Sequence, residues 1–162
     1  MDRTLLTDKT TIVEEIRKTV SEGRCISINV SGNSMNPLLV HQRDQITLGP
    51  WNDRDIRKGA VVLAKDTKGD YIIHRIVSRT DGRIVLMGDG NLHLTETACI
   101  NEVIALMYSI TRKGKVLTAD SRKWRAYSWI WQRLTPIRRL PLGIWRRVNK
   151  NKVFDFSKTS FR

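Results

Sequence analysis

Short runs rich in β-branched residues alternate with turn signals from about residue 24 to residue 118. The runs are CISINVS, DQITLG, AVVLAK, DYIIHRIVSR, RIVLM and NEVIALMYSITR. Turn-forming sequences stand between them, including Gly49-Pro50, Asp81-Gly82 and Lys113-Gly114-Lys115. Short β-branched runs bounded by such turns are typical of strands, and tight turns join antiparallel neighbours. We therefore predict a mainly β domain with an antiparallel sheet over residues 24–118.

Helices are predicted on both sides of this β domain. The segment TDKTTIVEEIRKTVSEG has Thr7 or Asp8 as a possible N-cap and Gly23 as a stop, which indicates a helix over about residues 8–22. Its apolar residues recur at helical spacing: Ile12, Val13, Ile16 and Val20. After Asp120, Pro136 and Pro141 are expected to break a helical segment into short pieces. We divide the chain into a domain over residues 1–118 and a C-terminal appendage over residues 119–162.

The charge of the chain is concentrated in the appendage. The net charge is +13, but residues 1–111 contain 14 basic and 14 acidic residues, whereas residues 112–162 contain 15 and 2. Four of the five tryptophans lie between residues 124 and 145. Trp and Arg together suit an anionic membrane surface, so residues 120–150 are a candidate for peripheral membrane contact. An equal alternative is that the tryptophans pack on the β domain; binding of nucleic acid or of an acidic protein is less favoured.

No segment has the pattern of a signal peptide or of a membrane-spanning helix. We therefore expect a cytoplasmic, non-spanning protein. Cys25 and Cys99 lack metal-ligand spacing, and their apolar neighbours predict buried thiols without a disulfide. The sequence implies no metal and no cofactor.

One turn, in SGNSMNPLL, presents a candidate nucleophile. Gly32 and Asn33 allow a sharp turn that would leave Ser34 with its amide unbonded, and Pro37 would fix the exit of the turn. A nucleophilic serine needs a base within hydrogen-bond reach and donors for the oxyanion. On this stretch alone, an ordinary turn serine remains the alternative.

The candidate bases are His41, His74 and His93. Alternation in DYIIHRIVSR puts His74 on one strand face with Ile72 and Ile76, where a satisfied core histidine is the alternative. Asp81-Gly82 predicts a two-residue hairpin loop. The resulting register pairs residues whose numbers sum to 163, namely Arg79 with Ile84, Val77 with Leu86 and His74 with Asp89. Such a pairing would let the Asp89 carboxylate orient the imidazole.

Five segments, SGNSMNPLL, RDQITL, IRKGAVVLA, YIIHRIV and LMGDGN, resemble in order and spacing the motif boxes of the signal peptidase I superfamily. This superfamily also contains the self-cleaving SOS and phage repressors, and the resemblance covers residues 24–118. It implies a serine endopeptidase with Ser34 as nucleophile and His74 as base, where most bacterial members use lysine. Residues of the two most specific boxes would support the oxyanion site and its turns: Gly32, Asn33, Met35, Gly88 and Asn91.

The chain departs from the histidine-type members after the LMGDGN box. Those members tend to carry a further aspartate there, but this chain has LHLTE, so the third catalytic position falls to Asp89 or, as the second choice, to Glu96. We expect a protease that cleaves an extended peptide in trans, in maturation or leader processing, along a strand edge beside Ser34. The alternative is a catalytically silent peptide-binding domain whose tail docks to membrane or nucleic acid.

Overall fold

The structure is a computed structural model and describes residues 9–149. In this range, eight strands form one sheet, preceded by one α-helix and followed by two. Helix α1 spans Lys9–Ser21. The strands are β1 (Ile26–Asn29), β2 (Asp44–Gly49), β3 (Val61–Lys65), β4 (Tyr71–Thr80), β5 (Arg83–Met87), β6 (Glu96–Cys99), β7 (Val103–Arg112) and β8 (Lys115–Thr118). The C-terminal helices are α2 (Arg122–Arg133) and α3 (Arg139–Val148), and short 3-10 turns occupy Asp53–Asp55, Ile100–Glu102 and Thr135–Ile137.

Helix α1 confirms the predicted N-terminal helix. Three of its predicted apolar positions are buried: Val13, Ile16 and Val20. Ile12, in contrast, is 38% exposed. Gly23 ends the helix with a φ of 74°, and its N–H donates to the carbonyl of Val20. This left-handed cap is easiest for glycine. The N-cap candidates Thr7 and Asp8 lie outside the described residues.

The strands confirm the predicted mainly β, antiparallel fold. Their order in the sheet is β1-β2-β7-β3-β4-β5-β6, and β8 pairs with β7 outside this order. Every neighbouring pair is antiparallel. The strands begin at Ile26 and end at Thr118, within the predicted range of residues 24–118.

Two hydrophobic clusters lie on the two faces of the central strands. On β3, Val61 and Leu63 join the cluster that contains α1, whereas Val62 and Ala64 join the second cluster. On β4, Tyr71 and Ile73 pack on the α1 side, and Ile72 and Ile76 pack on the other. Since side chains alternate along a strand, His74 lies on the face of the second cluster, and its neighbour Arg75 lies on the α1 side. The predicted grouping of His74 with Ile72 and Ile76 is therefore confirmed.

The hairpin of β4 and β5 contains a bulge that the sequence did not reveal. Next to the predicted tip, Arg79 pairs with Ile84, as expected. The register then shifts between Ile76 and Ser78, so that Ile76 pairs with Leu86 and Arg75 with Met87. The extra residue in β4, Val77, moves every later pair by one position. The predicted pairing of His74 with Asp89 is therefore wrong.

The C-terminal helices pack on the β domain. Trp124 and Trp131 of α2 are buried, and Trp124 belongs to the cluster that contains α1. Pro136 lies in the 3-10 turn that separates α2 from α3. Pro141, in contrast, lies inside α3, so the prediction that it breaks the helix was wrong. It occupies the first turn, where its N–H would have no helical partner in any case.

The two cysteines are unpaired, as expected, but they are not buried. Cys25 is exposed and Cys99 is half-buried, which corrects the prediction that both thiols lie in the core. Cys25 directly precedes β1, whose residues are alternately half-buried and exposed. Apolar neighbours alone therefore did not determine the burial of this residue.

Candidate active site

Ser34 lies in the loop that joins β1 to β2, here called the Ser34 loop (residues 30–43). Gly32 has a φ of 97°, in the left-handed region, and its N–H donates to Nδ1 of His41 at 3.2 Å. The side chain of Asn36 donates to Oδ1 of Asn33 at 3.2 Å. Ser34 is exposed, and within residues 9–149 neither its hydroxyl nor its backbone N–H has a hydrogen-bond partner. The turn thus leaves the Ser34 amide without a partner in these residues, as the sequence predicts.

The Ser34 loop is held against the loop that follows β5, here called the 88–91 loop. The N–H of Gly90 donates to the carbonyl of Ser34 at 2.8 Å, and the N–H of Asp89 approaches Sδ of the buried Met35 at 3.4 Å. A Cβ on Gly88 would collide with the Ser34 carbonyl, and one on Gly90 would lie 2.7 Å from the carbonyl oxygen of Asn33. The two backbones can approach this closely only because both positions are glycine.

His74 is buried, and its side chain contacts a carboxylate. Nδ1 of His74 lies 3.0 Å from Oε2 of Glu96, the first residue of β6, and the two side chains are 5% and 10% exposed. An ionised carboxylate can only accept a hydrogen bond, so the proton of the neutral ring belongs on Nδ1. Nε2 then carries the lone pair. Glu96, the second choice from the sequence, is therefore the residue that orients this histidine.

Burial also sets the protonation of His74. Removal from water lowers the pKa of His74 below its usual value near 6.5, although the charge and hydrogen bond of Glu96 act in the opposite direction. A histidine with a pKa below 6.5 is mostly neutral at pH 7. Its Nε2 can therefore accept a proton at that pH, as a general base must.

Asp89 does not orient His74 but forms a buried ion pair on the opposite face of β4. Its two carboxylate oxygens accept from Nε and NH2 of Arg75, both at 2.8 Å. The hydroxyl of Tyr127 in α2 donates to the same carboxylate at 3.1 Å. Burial raises the pKa of Tyr127, which keeps this donor protonated. The assignment of Asp89 as partner of the histidine is thus corrected, because the bulge at Val77 turned the carboxylate toward Arg75.

The sequence also did not reveal that the C-terminal helices bind the 88–91 loop. Three successive carbonyls of this loop accept hydrogen bonds from them. Nε1 of Trp131 donates to Asp89 at 3.1 Å, Arg146 donates to Gly90 at 3.1 Å, and Arg138 donates to Asn91 at 3.4 Å. The N–H of Asn91 closes the loop onto the carbonyl of Gly88 at 3.0 Å, which agrees with its expected role in the turn. The appendage therefore supports the 88–91 loop, against which the Ser34 loop packs.

Ser34 approaches the hairpin that carries His74 at Gly88. Gly88 contacts the Ser34 carbonyl and follows Met87, which pairs with Arg75, the neighbour of His74. Among residues 9–149, however, no hydrogen bond joins Ser34 to His74. In substrate-free sites, catalytic hydrogen bonds are often long or poorly aligned and tighten when the substrate binds.

An open strand edge leads directly to Ser34. β1 is the first strand of the sheet and pairs with β2 alone among the described strands. Within residues 9–149, no other strand pairs with the outer edge of β1, and the chain continues from Asn29 into the Ser34 loop. A peptide that added to this edge would run toward Ser34.

Comparison of the chain with models of known protein families and with curated protein sequences gives no match. Among residues 9–149, no helix has both the length and the apolar character that crossing a membrane requires.

Proposed function

We propose that this protein is a serine endopeptidase that resembles signal peptidase, with Ser34 as nucleophile, His74 as general base and Glu96 as the residue that orients the base. The observation that carries the proposal is the buried contact of His74 with Glu96. A carboxylate on Nδ1 keeps the lone pair on Nε2 and stabilises the imidazolium that forms during the reaction. The exposed Ser34 turn, held on the neighbouring loop, supports the same assignment.

The proposed reaction is acyl transfer to serine followed by hydrolysis. Nε2 of His74 accepts the hydroxyl proton while Oγ of Ser34 attacks the carbonyl carbon of the peptide. The unbonded N–H of Ser34 is the first donor to the oxyanion. The C–N bond then breaks as the imidazolium returns its proton to the leaving amine, and water hydrolyses the ester by the same steps. Loss of one oxyanion donor can cost about 100-fold in rate, so a site with few donors is expected to be slow.

The proposed substrate is an extended peptide, bound as an additional strand along β1. Backbone hydrogen bonds on the open edge would provide affinity, and the direction of β1 would bring the scissile bond to Ser34. Processing of a leader or maturation of one partner protein suits this mode of binding. The unpaired thiols, with Cys25 exposed, suit the reducing cytoplasm.

A second candidate function is peptide binding without cleavage. It is favoured by one observation, namely that Ser34 and His74 form no hydrogen bond within the described residues. In this case the β1 edge would bind a peptide or leader, and the histidine would be a satisfied core residue.

Mass-spectrometric mapping of cuts in a diverse peptide library, with vesicles present, distinguishes the two functions. The wild-type protein is compared with Ser34→Ala and with Ser31→Ala, which alters an exposed serine of the same loop. Cuts made by the wild type and by Ser31→Ala, but not by Ser34→Ala, would support the peptidase. Cuts that persist in Ser34→Ala would refute the assigned nucleophile. Retention of library peptides without any cut would support the binding domain.

A further inference from the structure

Helix α3 carries an apolar stripe that faces away from the protein. The stripe consists of Leu140, Ile144 and Val148, which are 68%, 66% and 77% exposed, and Ile137 of the preceding 3-10 turn, which is 53% exposed, continues it. At about 100° per residue, the directions of Leu140, Ile144 and Val148 fall within an arc of roughly 80°. On the opposite side of the helix, Leu142 is 1% exposed and anchors α3 to the rest of the protein. The stripe is therefore not the face by which α3 packs.

The C-terminal helices are also strongly cationic. Residues 122–149 contain eight Lys and Arg and no Asp or Glu. All of these cations except Arg138 are exposed. In the part of the chain that the structure describes, none of the eight forms an ion pair with a carboxylate. Arg147 lies at the edge of the stripe, about 20° from Leu140, so apolar and positive groups are presented together.

We propose that α3 binds the surface of an anionic membrane, with its apolar stripe at the boundary of headgroups and acyl chains. A helix in this position buries apolar side chains in the interface, while its arginines contact lipid phosphates. The positive charge of the C-terminal helices favours an anionic membrane over a second copy of the chain. A symmetric contact through α3 would bring two cationic helices together. Each Arg near an anionic surface strengthens binding by about fivefold.

Docking of α3 would bring the candidate active site close to the lipid. Arg146 of the same helix donates to the carbonyl of Gly90, and the N–H of Gly90 donates to the carbonyl of Ser34. A helix with its side chains is about 10–12 Å thick, so the 88–91 loop would lie roughly one helix diameter from the headgroups. For the proposed peptidase, this places the site where membrane-bound peptides emerge. The docking itself does not depend on catalysis.

Vesicle co-sedimentation of the full chain tests the proposal. We expect binding to vesicles of phosphatidylcholine with phosphatidylglycerol and little binding to phosphatidylcholine alone. The double variant Leu140→Ser/Ile144→Ser should bind at least about tenfold more weakly, because two exposed apolar side chains are lost from the interface. Leu94→Ser/Val116→Ser is the matched control, since these side chains are 58% and 62% exposed elsewhere.

A charge series separates the contribution of the arginines. Arg139→Gln/Arg147→Gln should weaken binding to the anionic vesicles by about 25-fold, whereas Arg54→Gln/Arg57→Gln, on the β domain, should change it little. Equal binding by the stripe variant and its control would overturn the proposal, as would equal binding to both kinds of vesicle. Self-association without lipid that Leu140→Ser/Ile144→Ser abolishes would assign the stripe to a second copy instead. Ser34→Ala should bind like the wild type, so a failed peptidase assay leaves this test intact.

Discussion

Replacement of Asp89 by asparagine should severely destabilise the fold, because it leaves a buried guanidinium without its counter-ion. The side chains of Arg75 and Asp89 are each 1% exposed and share two hydrogen bonds of 2.8 Å. In Asp89→Asn, Arg75 keeps its bonds to the carbonyl of Gly59 and to Oγ of Ser128, but these groups are neutral. The asparagine carboxamide also places an NH2 group, which is itself a donor, opposite an N–H donor of Arg75. The perturbation thus removes a charge while it conserves the size of the side chain.

Removal of one partner from a buried ion pair costs about 3–5 kcal/mol. Domains are typically stable by about 5–15 kcal/mol, so the variant should lose a large fraction of its free energy of unfolding. For a chain of this length, a loss of 1 kcal/mol lowers Tm by about 2–4 °C, which gives a decrease of roughly 6–20 °C.

Urea unfolding followed by tryptophan fluorescence measures this loss, because Trp124 and Trp131 are buried. Asp53→Asn is the matched control. Its ion pair with Arg79 is exposed, with Asp53 at 76%, and should contribute about 1 kcal/mol or less. The double variant Arg75→Met/Asp89→Asn should recover part of the loss, since the unpaired charge is then gone. If Asp89→Asn and Asp53→Asn lower the free energy of unfolding equally, the reasoning on the buried pair is refuted.

Two further predictions concern the residues around Ser34. Glu96→Gln should lower the rate of peptide cleavage by roughly 10²–10⁴-fold, because the amide no longer holds one tautomer of His74. It should also move the acidic limb of the pH–rate profile to lower pH, since loss of the carboxylate lowers the pKa of His74 further; a limb that stays in place would contradict the contact as described. Gly88→Ala should destabilise the protein and separate the two loops, measurable as lower Tm and lost cleavage, because its Cβ would collide with the Ser34 carbonyl. Gly143→Ala, in open space within α3, should instead raise the stability by about 0.5–1 kcal/mol, and similar effects of the two alanines would count against the packing of the loops.

The sequence predicted local structure well because local signals determine it. The period of apolar residues identified α1 and the strands, and Asp81-Gly82 identified the tip of the hairpin. The bulge at Val77 has no such signal, since a β-branched residue suits regular and bulged strands equally. Because this residue was not recognised, Asp89 was assigned to His74. In the structure Asp89 pairs with Arg75, and His74 contacts Glu96.

The contacts of the appendage could not be predicted for a different reason. Tyr127 and Trp131 are four residues apart on one face of α2, and their stacked rings, 5.7 Å apart, are a pattern that the sequence does contain. That pattern shows that the face is apolar, but not which surface it covers. In the structure, Trp124 lies against Arg75 and Trp131 donates to the carbonyl of Asp89, residues far away in the chain. The sequence has no local record of such long-range packing.

The bracing of the 88–91 loop by the C-terminal helices has a consequence for synthesis of the protein on the ribosome. Ser34 is translated 112 residues before Arg146. Arg146 follows Thr118, the last residue of β8, by 28 residues, so at about 5–20 residues per second the strands are synthesised roughly 1–6 s before it. A nascent chain therefore carries the serine, the histidine and the glutamate without the groups that fix the loop beside them.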